Sequence, residues 1–178
     1  MEKLAKLEYH TIELNPTWDE EYQALPFKRV EYGDKLQLAK WESTGFTHKN
    51  YTGMMFSDQG KIPQWAKDIG KILEWKDCGY TLYKMMPGDI LPPHADHFSK
   101  YKQLFGIENS DDVLRCLVFL EDKKRGHIFE IDQYGMNWHR GGAVLWRGRV
   151  PHCAANICLL YTSPSPRDAT LSRMPSSA

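Results

Sequence analysis

From Gly79 onward apolar and polar residues alternate in short stretches that turn-forming residues separate. Tyr80-Thr81-Leu82-Tyr83-Lys84-Met85-Met86 reads as a strand ending at the turn Pro87-Gly88-Asp89, and Ile90 to Asp96 reads as the next. Val113 to Leu120, Gly126 to Asp132 and, after Gly141-Gly142, Ala143 to Trp146 continue the pattern, with a further turn at Tyr134-Gly135. Short strands at such close, turn-punctuated spacing predict a sandwich or barrel. Upstream, Lys61-Ile62-Pro63-Gln64-Trp65 opens a helix over 61–76, whose stripe of Trp65, Ile69, Ile72, Leu73 and Trp75 is core packing. Residues 1–60 read as an irregular region with short strands: Tyr9 to Leu14 alternates until Asn15-Pro16 breaks it, and Lys35 to Trp41 alternates again. The expected class is mainly β with a few helices, in a single domain, with the core in 79–157.

Composition narrows this only a little. The 178 residues are 42% hydrophobic and 12% aromatic, enough for one domain with a real core and unlike a disordered chain. Lys+Arg and Asp+Glu both number 23, so no net basic charge recruits nucleic acid or an anionic membrane. No signal-like N-terminus and no long apolar run is present, which makes a cytoplasmic protein the expectation. Cys78, Cys116, Cys153 and Cys158 form no CxxC pair and no zinc spacing, so reduced thiols are expected. The tail changes the picture more. Cys158 to Asp168 looks like the translation of a transposase-type sequencing-library adapter, Ser172 to Ala178 like its distal part, and Ala169-Thr170-Leu171 like a short sample index. The expectation is a domain over 1–157, C-terminally truncated, followed by a non-native tail over 158–178. The alternative is a natural, flexible Ser/Pro-rich tail.

Candidate chemistry centres on Pro92-Pro93-His94-Ala95-Asp96 and on Val150-Pro151-His152. Two positions apart on a strand, His94 and Asp96 point to one face, where an imidazole and a carboxylate can share a metal ion. His152 completes a set of two histidines and one carboxylate, the facial triad of non-haem Fe(II) oxygenases, which leaves the opposite positions open. The order of strands, HxD, Gly-Gly turn and distal histidine is the order in which a jelly-roll brings two ligand-bearing strands together at its mouth. His97 should face away, His10 and His48 lie in the uninformative region, and His139 sits at a Gly turn where exposure is expected. Tyr83 is placed to donate its hydroxyl to a carboxylate or to pack in the core, Asn156 to bond a ligand or cap a turn, and His127 to line the pocket. Met85, Met86, Phe119 and Trp146 read as core or pocket wall.

Four segments carry a family resemblance: Pro87 to Asp96; Phe119-Leu120-Glu121-Asp122 with Gly126 to Glu130; Asn137-Trp138 with Gly141-Gly142; and Pro151-His152-Cys153-Ala154-Ala155-Asn156-Ile157. With them the stretch from Gly53 to Ile157 resembles the Fe(II)/2-oxoglutarate-dependent oxygenases, in particular small jelly-roll enzymes related to aspartyl/asparaginyl beta-hydroxylases of marine bacteria and phages. The resemblance implies a double-stranded β-helix, cupin-like in outline, with Fe(II) held by His94, Asp96 and His152. It further implies 2-oxoglutarate as co-substrate, O2 as oxidant, and a hydroxylase-type dioxygenase that forms succinate and CO2 while oxidising a C–H bond of a small-molecule or peptide substrate. By the same resemblance Arg115 faces co-substrate or substrate. The family's cation for the distal carboxylate, an arginine on the strand after the distal histidine, would fall at Thr162; there the chain has Ser163-Pro164-Ser165-Pro166, which cannot form a central strand, and Arg167 is a poor replacement. The metal ligands are thus expected to be complete and the co-substrate anchor missing, so that the parent protein is active where this chain need not be.

Two other readings compete. A cupin-type metalloenzyme working without 2-oxoglutarate would use the same barrel, although cupins supply more histidines and a glutamate in their first motif. A non-catalytic jelly-roll binding module would carry the triad as a vestige and show no ferrous-specific site. Substrate and oligomeric state are not legible.

Overall fold

The structure, a computed structural model, describes residues 9–15, 18–29, 32–46 and 53–157. The segment 158–178, including Cys158, Thr162 and Arg167, lies outside the described residues, as does His48. Among the described residues three antiparallel sheets dominate. In the first, β1 (Tyr9–Glu13) and β6 (Leu114–Val118) flank β9 (Gly142–Arg147), with Thr11 and Leu117 both opposite Val144. In the second, β5 (Ile90–His94) and β7 (His127–Ile131) flank β10 (His152–Asn156), and the two-residue strand β8 (Tyr134–Gly135) closes the far edge. The third joins β2 (Lys28–Arg29), β3 (Met54–Phe56) and β4 (Leu82–Lys84).

The period-2 pattern explains how the first two sheets meet. In β7, Phe129 and Ile131 are buried while Ile128 and Glu130, which alternate with them, are exposed, so one face turns inward. These two side chains cluster with Val144 and Trp146 of β9 and with Val150, joined by Leu117 of β6 and Ala154 of β10. The two sheets therefore share one apolar core, and a fully buried side chain such as Ile131 stabilises it by about 1.5–3 kcal/mol. A second cluster lies under the third sheet, where Phe56 and Leu82 meet Trp18, Tyr22, Ile62 and Ala66.

Among the described residues three α-helices accompany the sheets: α1 (Lys35–Ser43), α2 (Gln64–Ile72) and α3 (Ser99–Phe105). The first corrects the sequence expectation of a strand over Lys35 to Trp41. The stretch alternates, but Leu, Gln, Ala, Lys and Glu are strong helix formers, and the Asp34 carboxylate accepts the amides of Leu36 and Gln37, both at 3.0 Å. In the helix Leu36 points to solvent and Trp41 is buried. The helix expected over 61–76 is shorter, starting after Pro63; Trp65 and Ile69 pack on the second cluster, but Ile72 is exposed and the buried positions are the small Ala66 and Gly70. Helix α3 was not expected.

The turn at Pro87-Gly88 forms as expected: Gly88 adopts φ +92 and the Asp89 amide donates to the Met86 carbonyl at 2.9 Å. The turn expected at Tyr134-Gly135 lies two residues earlier. Asp132 and Gln133 both take positive φ, and Tyr134 and Gly135 pair with Ile131 and Glu130. Gln is uncommon at such a position, so the turn carries no sequence signature. Among the described residues no helix is long and apolar enough to cross a membrane, and Cys78, Cys116 and Cys153 are free thiols.

Candidate metal centre

Strand pairing places the two histidines. His94 ends β5 and His152 begins β10, and the antiparallel register sets them opposite one another with ring centroids 4.4 Å apart. β5 is an edge strand, and Pro92 and Pro93 fall where its pairing with β10 is interrupted, the places where a sheet tolerates proline. Between His152 and Ala154 the register with β5 shifts by a bulge, a feature that re-aims side chains next to sites. Asp96 lies just beyond the end of β5, where the chain turns toward α3.

Both rings are fixed in the same way. His94 Nδ1 lies 2.9 Å from the Pro92 carbonyl and His152 Nδ1 lies 3.0 Å from the Val150 carbonyl, each two residues back along its own chain. A carbonyl only accepts, so each Nδ1 carries the proton and each Nε2 keeps a free lone pair. These nitrogens face the same carboxylate: His94 Nε2 is 3.6 Å from Asp96 Oδ1 and His152 Nε2 is 3.6 Å from Asp96 Oδ2. That is too long for a good hydrogen bond. It is close to the separation of about 3 Å between neighbouring ligands around an ion with bonds near 2.1 Å. The candidate ligand atoms of all three residues lie within 4.8 Å of one another, so two imidazoles and one carboxylate could hold a metal ion.

Burial sets the protonation state. Both histidines are buried, and desolvation pulls their pKa values down, His152 to about 3, with the neighbouring His94 and then Arg115 adding to the effect. They stand neutral at physiological pH, the form in which imidazole ligates. The guanidinium of Arg115, on β6, makes a close ion pair with Asp96 Oδ2 and sits over the Trp146 ring, 5.4 Å from its centroid. Desolvation lowers its pKa and Tyr83 opposes the shift, while burial raises the Tyr83 phenol and Arg115 opposes it, so the two side chains act on one another. Aromatic rings wall the histidines: Tyr32 and Trp41 stand edge-on to His94 at 5.8 and 5.9 Å, and Trp146 lies 5.1 Å from His152. The Trp41 indole also donates to the Pro93 carbonyl at 3.0 Å, which fastens α1 to β5 beside the ligand.

Of the residues singled out in the sequence, His94, Asp96 and His152 come together, Arg115 joins them through Asp96, and Tyr83 reaches Arg115. Asn156 and His127 do not join: they pair with each other at the opposite end of β10 and β7, roughly 13 Å along the strand from His152. The Asn156 amide donates to the Met85 carbonyl at 2.9 Å, and its backbone carbonyl accepts from Gly88 at 2.7 Å, so it holds the Pro87-Gly88 turn. His127 Nδ1 accepts the Lys124 amide at 3.3 Å. His97 Nε2 turns to Asp34 at 3.2 Å, and exposed His139 pairs with Glu13 at 2.8 Å. Sequence reasoning missed Tyr32, Trp41 and the pair in which Arg29 grips Asp89 with two bonds of 2.9 and 3.3 Å.

A cleft of about 700 Å³ opens at Asp96. Tyr32, Gly33 and Asp34 form one side, His97, Ser99 and Lys102 another, and Ser110 and Arg149 complete it. Its size suits a small molecule.

Fold and site together define a mainly β-sheet protein with two buried histidines and a half-buried aspartate that could hold a metal ion beside an open cleft. Neither family models, nor curated proteins, nor solved structures yield a match to the chain.

Proposed function

We propose that the chain is an Fe(II)- and 2-oxoglutarate-dependent dioxygenase domain of hydroxylase type, built as a double-stranded β-helix. The observation that carries this reading is the convergence of two tautomer-fixed Nε2 atoms and one carboxylate at the rim of a cleft. Two antiparallel sheets around one core, with ligands at the end of β5 and the start of β10, are what a jelly-roll would supply. His94, Asp96 and His152 would hold the iron, and the donor set of two nitrogens and one oxygen fits it. Bound there with 2-oxoglutarate and O2, iron supplies oxidation of a substrate C–H bond coupled to decarboxylation of 2-oxoglutarate to succinate and CO2. The protein's own residues prepare the site. The Pro92 and Val150 carbonyls hold the imidazoles in the ligating tautomer, and Arg115 holds the carboxylate. Tyr32, Trp41 and Trp146 exclude water from the histidine side, and the cleft leaves a path for a small-molecule or peptide substrate.

The test is anaerobic addition of Fe(II) and then saturating 2-oxoglutarate. A weak visible charge-transfer band should develop and be lost in His94→Ala and His152→Ala. Folded protein with bound iron and no band, at 2-oxoglutarate concentrations high enough to offset a missing anchor for its distal carboxylate, would sink the oxygenase reading and favour a metalloenzyme that works without 2-oxoglutarate. Absence of any metal affinity would favour a binding module.

A further inference from the structure

The rim of the cleft carries charge that the proposed chemistry at the triad does not use. Lys102, half-buried on α3, and Arg149, between β9 and β10, both line it. Neither side chain forms an ion pair or hydrogen bond among the described residues. The acids of the same lining are engaged. Asp34 caps α1 and faces His97 at 3.2 Å, and Asp96 takes Arg115. Ser99 and Ser110 add two hydroxyls to the lining; that of Ser110 reaches only the His97 carbonyl, at 3.4 Å. Two cations without a partner among the described residues, half-buried Lys102 and exposed Arg149, and two hydroxyls in a cleft of about 700 Å³ are a donor set for an oxyanion, to which each cation can make a charge-assisted bond.

We infer that this cleft takes the substrate by a carboxylate or phosphate group, with Lys102 and Arg149 as the recognition residues, so that the rest of the molecule is presented toward Asp96. The assignment of the anion to a substrate rests on the proposed oxygenase reading; the cleft itself does not. Arg115 is a poorer candidate for the same task, because Asp96 already occupies its guanidinium.

The test is NMR titration of the full chain, metal-free, with succinate and separately with inorganic phosphate, and with neutral succinamide as control. Shifts are expected at the Arg149 side chain and at the amides of Ser99, Lys102 and Ser110 for one or both anions, identifying which is preferred, and none for succinamide. The Lys102→Gln/Arg149→Gln variant should bind about tenfold more weakly, while Lys102→Arg/Arg149→Lys should keep most of the affinity. The inference is overturned if neither anion perturbs the cleft, if succinamide acts alike, if the neutral variant binds as tightly as the parent, or if the charge-preserving variant loses binding equally. Two further arms separate this inference from the oxygenase reading. Cobalt(II) titration reads the triad alone: binding of cobalt without binding of anions sinks the inference only, whereas anion binding without cobalt binding sinks the oxygenase reading and leaves the cleft assignment standing. With Fe(II) and 2-oxoglutarate, the neutral variant should keep the charge-transfer band; its loss would hand these cations to the co-substrate and overturn their role in substrate recognition.

Discussion

Asp89 stands five residues before His94 in the sequence and holds the turn that leads into β5. Its carboxylate is nearly inaccessible, with 5% of the side chain exposed, and it accepts two bonds from Arg29 and one of 2.7 Å from the Met86 amide. Its backbone carbonyl accepts from the Asn156 amide at 2.9 Å, while the Gly88 amide donates to the Asn156 carbonyl, so the turn and the far end of β10 are stitched together. Asp89→Ala removes a charge-assisted bond from the Met86 amide to a buried carboxylate, about 2 kcal/mol, and a bidentate ion pair. Arg29 is 47% exposed, so screening discounts that pair to about 1 kcal/mol. The expected loss is about 3 kcal/mol, or a melting temperature lower by about 6–12 °C for a chain of this size. Arg29→Ala should lose about 2 kcal/mol, because the carboxylate keeps the Met86 amide but gives up its partner. Urea denaturation of the three proteins, followed by tryptophan fluorescence, measures these differences. Cobalt(II) affinity, measured on the fraction that remains folded, should fall with Asp89→Ala, since the turn it clamps leads into the strand that sets His94 opposite His152. A loss below about 0.5 kcal/mol with unchanged cobalt affinity would show that β5 finds its register without this clamp.

Three further outcomes are expected. Loading the triad with cobalt(II) at about 100 times its dissociation constant should stabilise the chain by about 2.7 kcal/mol, read as a rise in melting temperature that His152→Ala abolishes. Trp41→Phe removes the bond to the Pro93 carbonyl and should lower stability by about 1–2 kcal/mol in urea titrations, with no change in the slope of the transition. The Cys116 thiol, pushed up to about 12 by burial, carries a thiolate only far above neutral pH; iodoacetamide at pH 8 should leave it unmodified in the native chain and alkylate it in urea, as peptide mass spectrometry would show.

Much of the β-structure was legible because burial on one face writes itself into the sequence at every second residue, as in β7, where Phe129 and Ile131 alternate with Ile128 and Glu130. The same period misled in α1, where Leu36 and Leu38 alternate by chance; the contrary clue was the spacing of Asp34 and Gln37, a capping pattern at a helix start. The triad was legible for a local reason: His94 and Asp96 are two residues apart, and the Pro92 and Val150 carbonyls that fix the two histidines are neighbours in the chain. What surrounds it is not local. Trp41 meets Pro93 across 52 positions and Arg29 meets Asp89 across 60, contacts that exist only once the sheets have formed. The cleft shows why this matters for function. That Lys102 and Arg149 have no partner among the described residues, while Arg115 is taken, depends on which cations find a carboxylate in the folded chain, and no motif records that. On the proposed reading, ligation and recognition rest on separable residues: substitutions at Lys102 and Arg149 should alter which anion is accepted and leave metal affinity at His94, Asp96 and His152 unchanged.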